Sequence, residues 1–172
     1  MPSQSLIHRT AIACMALAGL PAFAQADIKA AVVKHLKISR DFTLKVADQM
    51  PEADYGFKLT PPQMSFAEQI THLAQEQSQF LAPFSNARPN PGGPSSMNKK
   101  DVMAFVRQSF DNSIDIVSKL TPAQIAKTYD SGEGTMTGLE LLMFLMDHTT
   151  HHRASAEMYL RAKGITPAEY QF

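Results

Sequence analysis

Thr137-Gly-Leu-Glu140-Leu-Leu-Met-Phe-Leu-Met-Asp-His148-Thr-Thr-His-His152-Arg153 is the stretch on which the reading of the fold turns. Thr137 and Glu140 stand three residues apart and form a capping box, in which each side chain satisfies a free amide of a helix's first turn. No breaker follows until Gly164, with Pro167 beyond it, so the helix runs to about Lys163. Leu141, Leu145 and Tyr159 fall on one stripe of a helical wheel, and His148 and His152 share it. The spacing therefore predicts a long amphipathic helix whose two histidines, at i and i+4, face the interior of a helical bundle.

Working outward, three more helices are expected. Ile28, Val32, His35, Ile38, Phe42 and Val46 recur at steps of three and four from about Asp27, and Pro51 bounds the segment at Met50. Ser65 with Glu68 is a second capping box, and Phe66, Ile70, Leu73, Phe80 and Leu81 supply the apolar face of a helix that Pro83 is expected to stop. A third helix runs from about Asn98 to Leu120, with Val102, Phe105, Val106, Phe110, Ile114 and Val117 inward. Thr121-Pro122 then opens a short turn, with Pro at the first helical position. Between the second and third helices lies Phe84–Met97, rich in Pro and Gly. Its 14 residues reach about 45 Å when extended, whereas a 20-residue helix spans about 30 Å. The loop can cross the whole bundle and leave those two helices parallel. No segment shows sustained strand alternation. The expected fold is all-α, one four-helix bundle with a long crossover between helices 2 and 3.

The first 26 residues are expected to lie outside that domain. Arg9 is followed by the apolar run Ala11–Leu20, Pro21, and the small-residue patterns Ala22-Phe-Ala24 and Ala24-Gln-Ala26. This is the layout of a secretory signal peptide, with cleavage after Ala24 or Ala26. The run falls short of the roughly 20 apolar residues that a membrane span needs. The division is thus 1–26 signal peptide and 27–172 bundle domain, with a periplasmic or secreted bacterial location and no membrane span after cleavage. The chain's one cysteine, Cys14, leaves with the leader, as does Arg9. Thiolate chemistry is excluded from the mature protein. With 16 Lys+Arg against 16 Asp+Glu in the full chain, no basic excess points to nucleic acid. Covalent haem is excluded by the lack of a C-x-x-C-H motif, and the ten methionines lie in apolar stripes as core filler. The apolar Leu139–Met146 run leaves a homodimer open.

The chemistry rests on histidine. His148 and His152 are one turn apart and suited to chelating one metal, or else they are hydrogen-bonded core residues. A zincin protease is excluded, because Thr149 occupies the position of its glutamate. His151, four residues after Asp147, reads as a solvated Asp–His pair, with a proton relay as the alternative. His35 lies on the first helix's apolar stripe as a core or cavity-lining residue. His72, among Gln69, Glu76 and Gln79, reads by periodicity as a surface residue.

Two stretches carry a family resemblance: Met50-Pro-Glu-Ala-Asp-Tyr55 through Met64–Ala74, and Leu142–Arg153 continuing through Tyr159-Leu-Arg161 and Gly164-Ile-Thr-Pro167. Over most of the mature chain the sequence resembles the DinB/YfiT-like family of bacterial four-helix metalloproteins. The resemblance implies that a histidine of the second helix joins an H-x-x-x-H-R motif of the fourth. On this chain those are His72, His148 and His152, holding one divalent metal, commonly zinc or nickel. Three neutral ligands would leave the ion its charge and an open position. The family's characterised members imply a thiol-dependent transferase with a small-molecule substrate. Export away from cytosolic thiols makes a hydrolase an equal expectation, and a noncatalytic metal-binding protein of the cell envelope is the alternative. Glu76 and Asp147 are the nearest carboxylates in sequence, as orienting or basic groups or as plain surface acids. Ala154-Ser155 stands where the family pattern has Gly-Gln, so an amide that could orient a ligand is missing.

Overall fold

The computed structural model describes residues 20–85, 92–131 and 134–171, with side chains from residue 28 onward. Residues 1–19 of the expected leader lie outside the described residues, as do Pro89, Pro91 and Gly132 of the two expected loops. Four long helices are present: α1 (Leu20–Gln49), α2 (Phe66–Ser85), α3 (Lys99–Lys119) and, after the short α4 (Pro122–Ala126), α5 (Gly138–Ala162). A 3₁₀ turn, Glu52–Asp54, follows α1, and β1 (Thr128–Asp130) pairs antiparallel with β2 (Thr135–Thr137). No described helix is long and apolar enough to cross a membrane.

The caps fall where the sequence puts them. The Glu68 amide donates to Ser65 Oγ at 3.2 Å while the Ser65 amide donates to Glu68. Asn98 accepts from the Asp101 amide at 2.8 Å. Thr121 with Gln124 and Thr137 with Glu140 both close full capping boxes. Three details differ from expectation. Helix α1 begins at Leu20 rather than near Asp27, and its backbone continues past Pro21. Proline is tolerated in a helix's first turn, where its missing N–H has no partner to lose. Helix α2 runs through Pro83 to Ser85; the hydrogen bond lost is confined to the last turn, and buried Phe84 packs edge-on against Tyr129 at 5.2 Å. The β1–β2 hairpin has strands of three residues, too short to show alternation.

Cross-helix contacts give the topology. Lys29 Nζ donates to the Leu120 carbonyl (3.2 Å), Arg40 pairs with Asp111 (2.7 Å), and Lys99 Nζ reaches the Met50 carbonyl (3.2 Å), so α1 and α3 are antiparallel. Ser109 Oγ donates to the Ala74 carbonyl and Ser113 Oγ to Gln77 Oε1. These positions rise together, so α2 and α3 are parallel, as the crossover length predicts. Phe80 against Phe144 and Gln69 against His152 make α2 and α5 antiparallel. Arg153 against Ser39 and Gln49 against Thr166 make α1 and α5 parallel. Around the bundle the order is α1, α3, α2, α5, running up, down, down, up.

The core fills the space between the four helices. Phe42, Phe66, Ile70, Val106, Phe110, Leu142, Leu145 and Tyr159 are at most 1% exposed, and each large apolar side chain so buried contributes about 1.5–3 kcal/mol. Gly138 sets the start of α5: a Cβ there would lie 2.4 Å from the Gln124 carbonyl oxygen and 2.9 Å from the Ile125 backbone. Only glycine lets the first turn of α5 sit directly on α4. That contact fixes where the histidine-bearing turns of α5 fall along α2.

Candidate metal centre

Three imidazoles meet on the seam between α2 and α5. His72 comes from α2, and His148 and His152 from successive turns of α5. Their ring centroids are 5.1 Å (His72–His148), 4.5 Å (His72–His152) and 4.4 Å (His148–His152) apart. One ring nitrogen from each lies within 4.8 Å of the others, so the three form a set that could hold a metal ion. Helical periodicity places His72 at the margin of α2's apolar stripe. The antiparallel packing of α2 on α5 brings that margin over His148 and His152. All three rings are half-buried rather than in the interior. The centre of the α5 stripe is instead held by Leu145, Thr149, Arg153 and Ala156.

The donor chemistry fits a cation. Burial holds the His148 imidazolium down to about 4, with His72 and His151 adding to the effect. His152 is likewise lowered to about 4, by burial first and then by His148 and His72. Both rings are therefore neutral at neutral pH, with lone pairs free for a metal. His152 Nδ1 lies 2.6 Å from Gln69 Oε1. An amide oxygen only accepts, so Nδ1 carries the proton and Nε2 is left with its lone pair. His148 has ring contacts with His72, His152 and Phe80 but no hydrogen bond to the described residues.

Of the two carboxylates singled out from sequence, Glu76 is brought to the cluster, with Oε1 at 3.9 Å from His72 Nδ1. Asp147 is exposed and lines a cavity of about 400 Å³ against His148. His151 also lines that cavity and touches His152 edge-on at 4.9 Å. His35 is outside the cluster, half-buried on α1, with its pKa lowered by burial and by Arg153. Sequence reasoning assigned Gln69 no role. The signal was present: it stands three residues before His72, on the same face of α2. Gln69 offers from α2 an amide against the His152 ring, where Ala154-Ser155 on α5 carries none. Ser155 is occupied elsewhere, donating to the His151 carbonyl at 2.9 Å.

The DinB family model matches residues 24–172. The chain belongs to the DinB family. Among DinB relatives it is 24% identical to the uncharacterized protein YjoA of Bacillus subtilis (strain 168) over 139 residues, covering 78% of this chain and 90% of that protein. The crystal structure of the DinB-like protein YjoA superposes with a TM-score of 0.70 at 22% identity, covering 81% of this chain and 96% of that one. A DinB-like protein from Bacillus cereus ATCC 10987 gives a TM-score of 0.71 at 16% identity, covering 81% and 95%. At these identities the two structures establish the shared four-helix DinB fold.

Proposed function

We propose that this DinB protein is exported and binds one divalent transition metal, zinc or nickel, through His72, His148 and His152. We further propose that it uses the ion as a metal-dependent transferase or hydrolase acting on a small-molecule substrate, with nucleic acid not among its partners. The observation that carries the reading is the convergence of three imidazoles from two helices, one of them fixed in its tautomer by Gln69. When bound, the ion supplies Lewis acidity at a coordination position that three protein ligands leave open. Gln69 holds the His152 ring in its ligating orientation, and Glu76 Oε1 stands 3.9 Å from His72 Nδ1. The cavity against His148 gives a substrate room beside the open position, and its Asp147 carboxylate is placed to accept a proton there. That cavity favours catalysis over simple metal storage. Export rests on the leader-like composition of residues 1–26.

Elemental analysis of the purified protein tests the site. About one transition metal per chain is expected, and none in the His148→Ala/His152→Ala double variant. Protein that stays metal-free in metal-replete medium, or a double variant that keeps its metal, contradicts the assignment. Activity that rises with metal loading, against thiol conjugates and simple esters, would then establish catalysis and tell transferase from hydrolase.

A further inference from the structure

The cavity beside His148 has one apolar wall and an unusual charge. The wall is Phe80 of α2 and Phe144 of α5, whose rings are stacked with centroids 6.4 Å apart and planes at 19°. Phe80 also lies 5.5 Å from the His148 ring, so the aromatic pair runs directly up to the metal ligands. Phe144 is 47% exposed although it is a large aromatic side chain. Ala154 adds a small side chain to the lining, and Thr150 and Asp147 add polar groups. At about 400 Å³ the space lies within the usual range for small-molecule sites, about 300–1,000 Å³.

No lysine or arginine is among the described residues lining it. Helix α2 carries no Lys or Arg along its whole length. On α5 the two arginines are Arg153 and Arg161. Arg153 is 2% exposed and directed at Ser39, reaching Thr150 only at 3.5 Å, and Arg161 lies in the last turn. The charged side chains at the site are the carboxylates Asp147 and Glu76. Two carboxylates offset the charge of a divalent ion, which leaves no surplus cation to receive a carboxylate or phosphate on the substrate.

Resting on the three-histidine reading above, we propose that the site takes an uncharged substrate with an aryl or similarly flat apolar group. That group seats on Phe80 and Phe144, and a neutral polar function is presented toward His148. Acidic thiols and phosphorylated compounds are excluded by the same charge arrangement.

Hydroxamates provide a direct test, because each carries the same metal-binding head. Zinc-loaded protein is titrated calorimetrically with acetohydroxamate, benzohydroxamate and 4-carboxybenzohydroxamate, and zinc content is measured on the same samples. Benzohydroxamate should bind about tenfold more tightly than acetohydroxamate. The 4-carboxy compound should bind more weakly than benzohydroxamate. Phe144→Ala, at an exposed position that the fold does not need, should remove most of the aryl advantage and leave acetohydroxamate unchanged. Phe80→Ala should do the same. Zinc-loaded protein that binds the three probes equally, favours the carboxylated one, or keeps the aryl advantage in both variants overturns this proposal while the metal reading stands. Protein that holds no zinc overturns both.

Discussion

Helix α5 makes two polar seams, and they are built on opposite plans. Toward α1 it buries Arg153, whose Nη1 donates to Ser39 Oγ at 2.6 Å and whose guanidinium lies 4.7 Å from the centroid of the Phe42 ring. Among the described ion pairs none involves Arg153, and burial lowers its pKa. The group still remains charged, because guanidinium does not deprotonate in proteins. Its cost is met by a hydroxyl, an aromatic face and close packing of its stem. Toward α2 the same helix presents His148 and His152, half-buried and neutral, of which only His152 has a hydrogen bond, to Gln69 Oε1. The Arg153 seam is satisfied within the protein. The histidine seam is not, and its rings converge with His72 in a set that could hold a metal ion. The difference teaches that burial of polar groups alone does not mark a site; convergence of unsatisfied ones does.

Arg153→Ala should sharpen the contrast most. It empties a buried volume and strands Ser39, so stability should fall by about 2–4 kcal/mol in denaturant titration, with metal stoichiometry unchanged. A loss of metal instead would mean that the two seams act as one. Gln69→Ala should leave stability nearly unchanged and weaken metal binding by about 10–100-fold in competition with a chelator. Unaltered affinity would remove Gln69 from the site. Glu76→Gln, at a longer 3.9 Å contact, should cost less than about tenfold in the same assay.

A further effect concerns pH. His148 and His152 are held near 4 when folded, against about 6.5 in an unfolded chain. Between those values the unfolded chain binds more protons, so stability of the metal-free protein rises with pH across this window. It is lost as pH falls from about 6.5 toward 4. The thermal midpoint of metal-free protein should show that slope, and His148→Gln/His152→Gln should flatten it. An equal slope in the double variant would assign it to other groups.

What was legible in the sequence was local. Ser65, Thr121 and Thr137 announced three helix starts because capping is a contact between residues three apart. The crossover length gave the parallel pairing of α2 and α3, which the Ser109–Ala74 and Ser113–Gln77 hydrogen bonds bear out. Less legible were features decided by a neighbouring helix. The wheel set His72 at the surface; the family resemblance supplied it, and the α2–α5 packing explains it. The wheel also gave no sign that Thr149 and Arg153 are buried at the centre of the α5 stripe. Thr149 donates to the Leu145 carbonyl at 2.8 Å, satisfying itself within its own helix. Arg153 depends on Ser39, 114 residues away. The Phe80–Phe144 wall joins two helices separated by the crossover and α3, and no window of sequence contains it.

X-ray absorption at the zinc edge of the zinc-loaded protein tests the central claim most directly. Three imidazole nitrogens at about 2.0–2.1 Å are predicted, with one lost in His72→Ala. A spectrum with fewer than three imidazoles, or one that His72→Ala leaves unchanged, would contradict a centre built across α2 and α5.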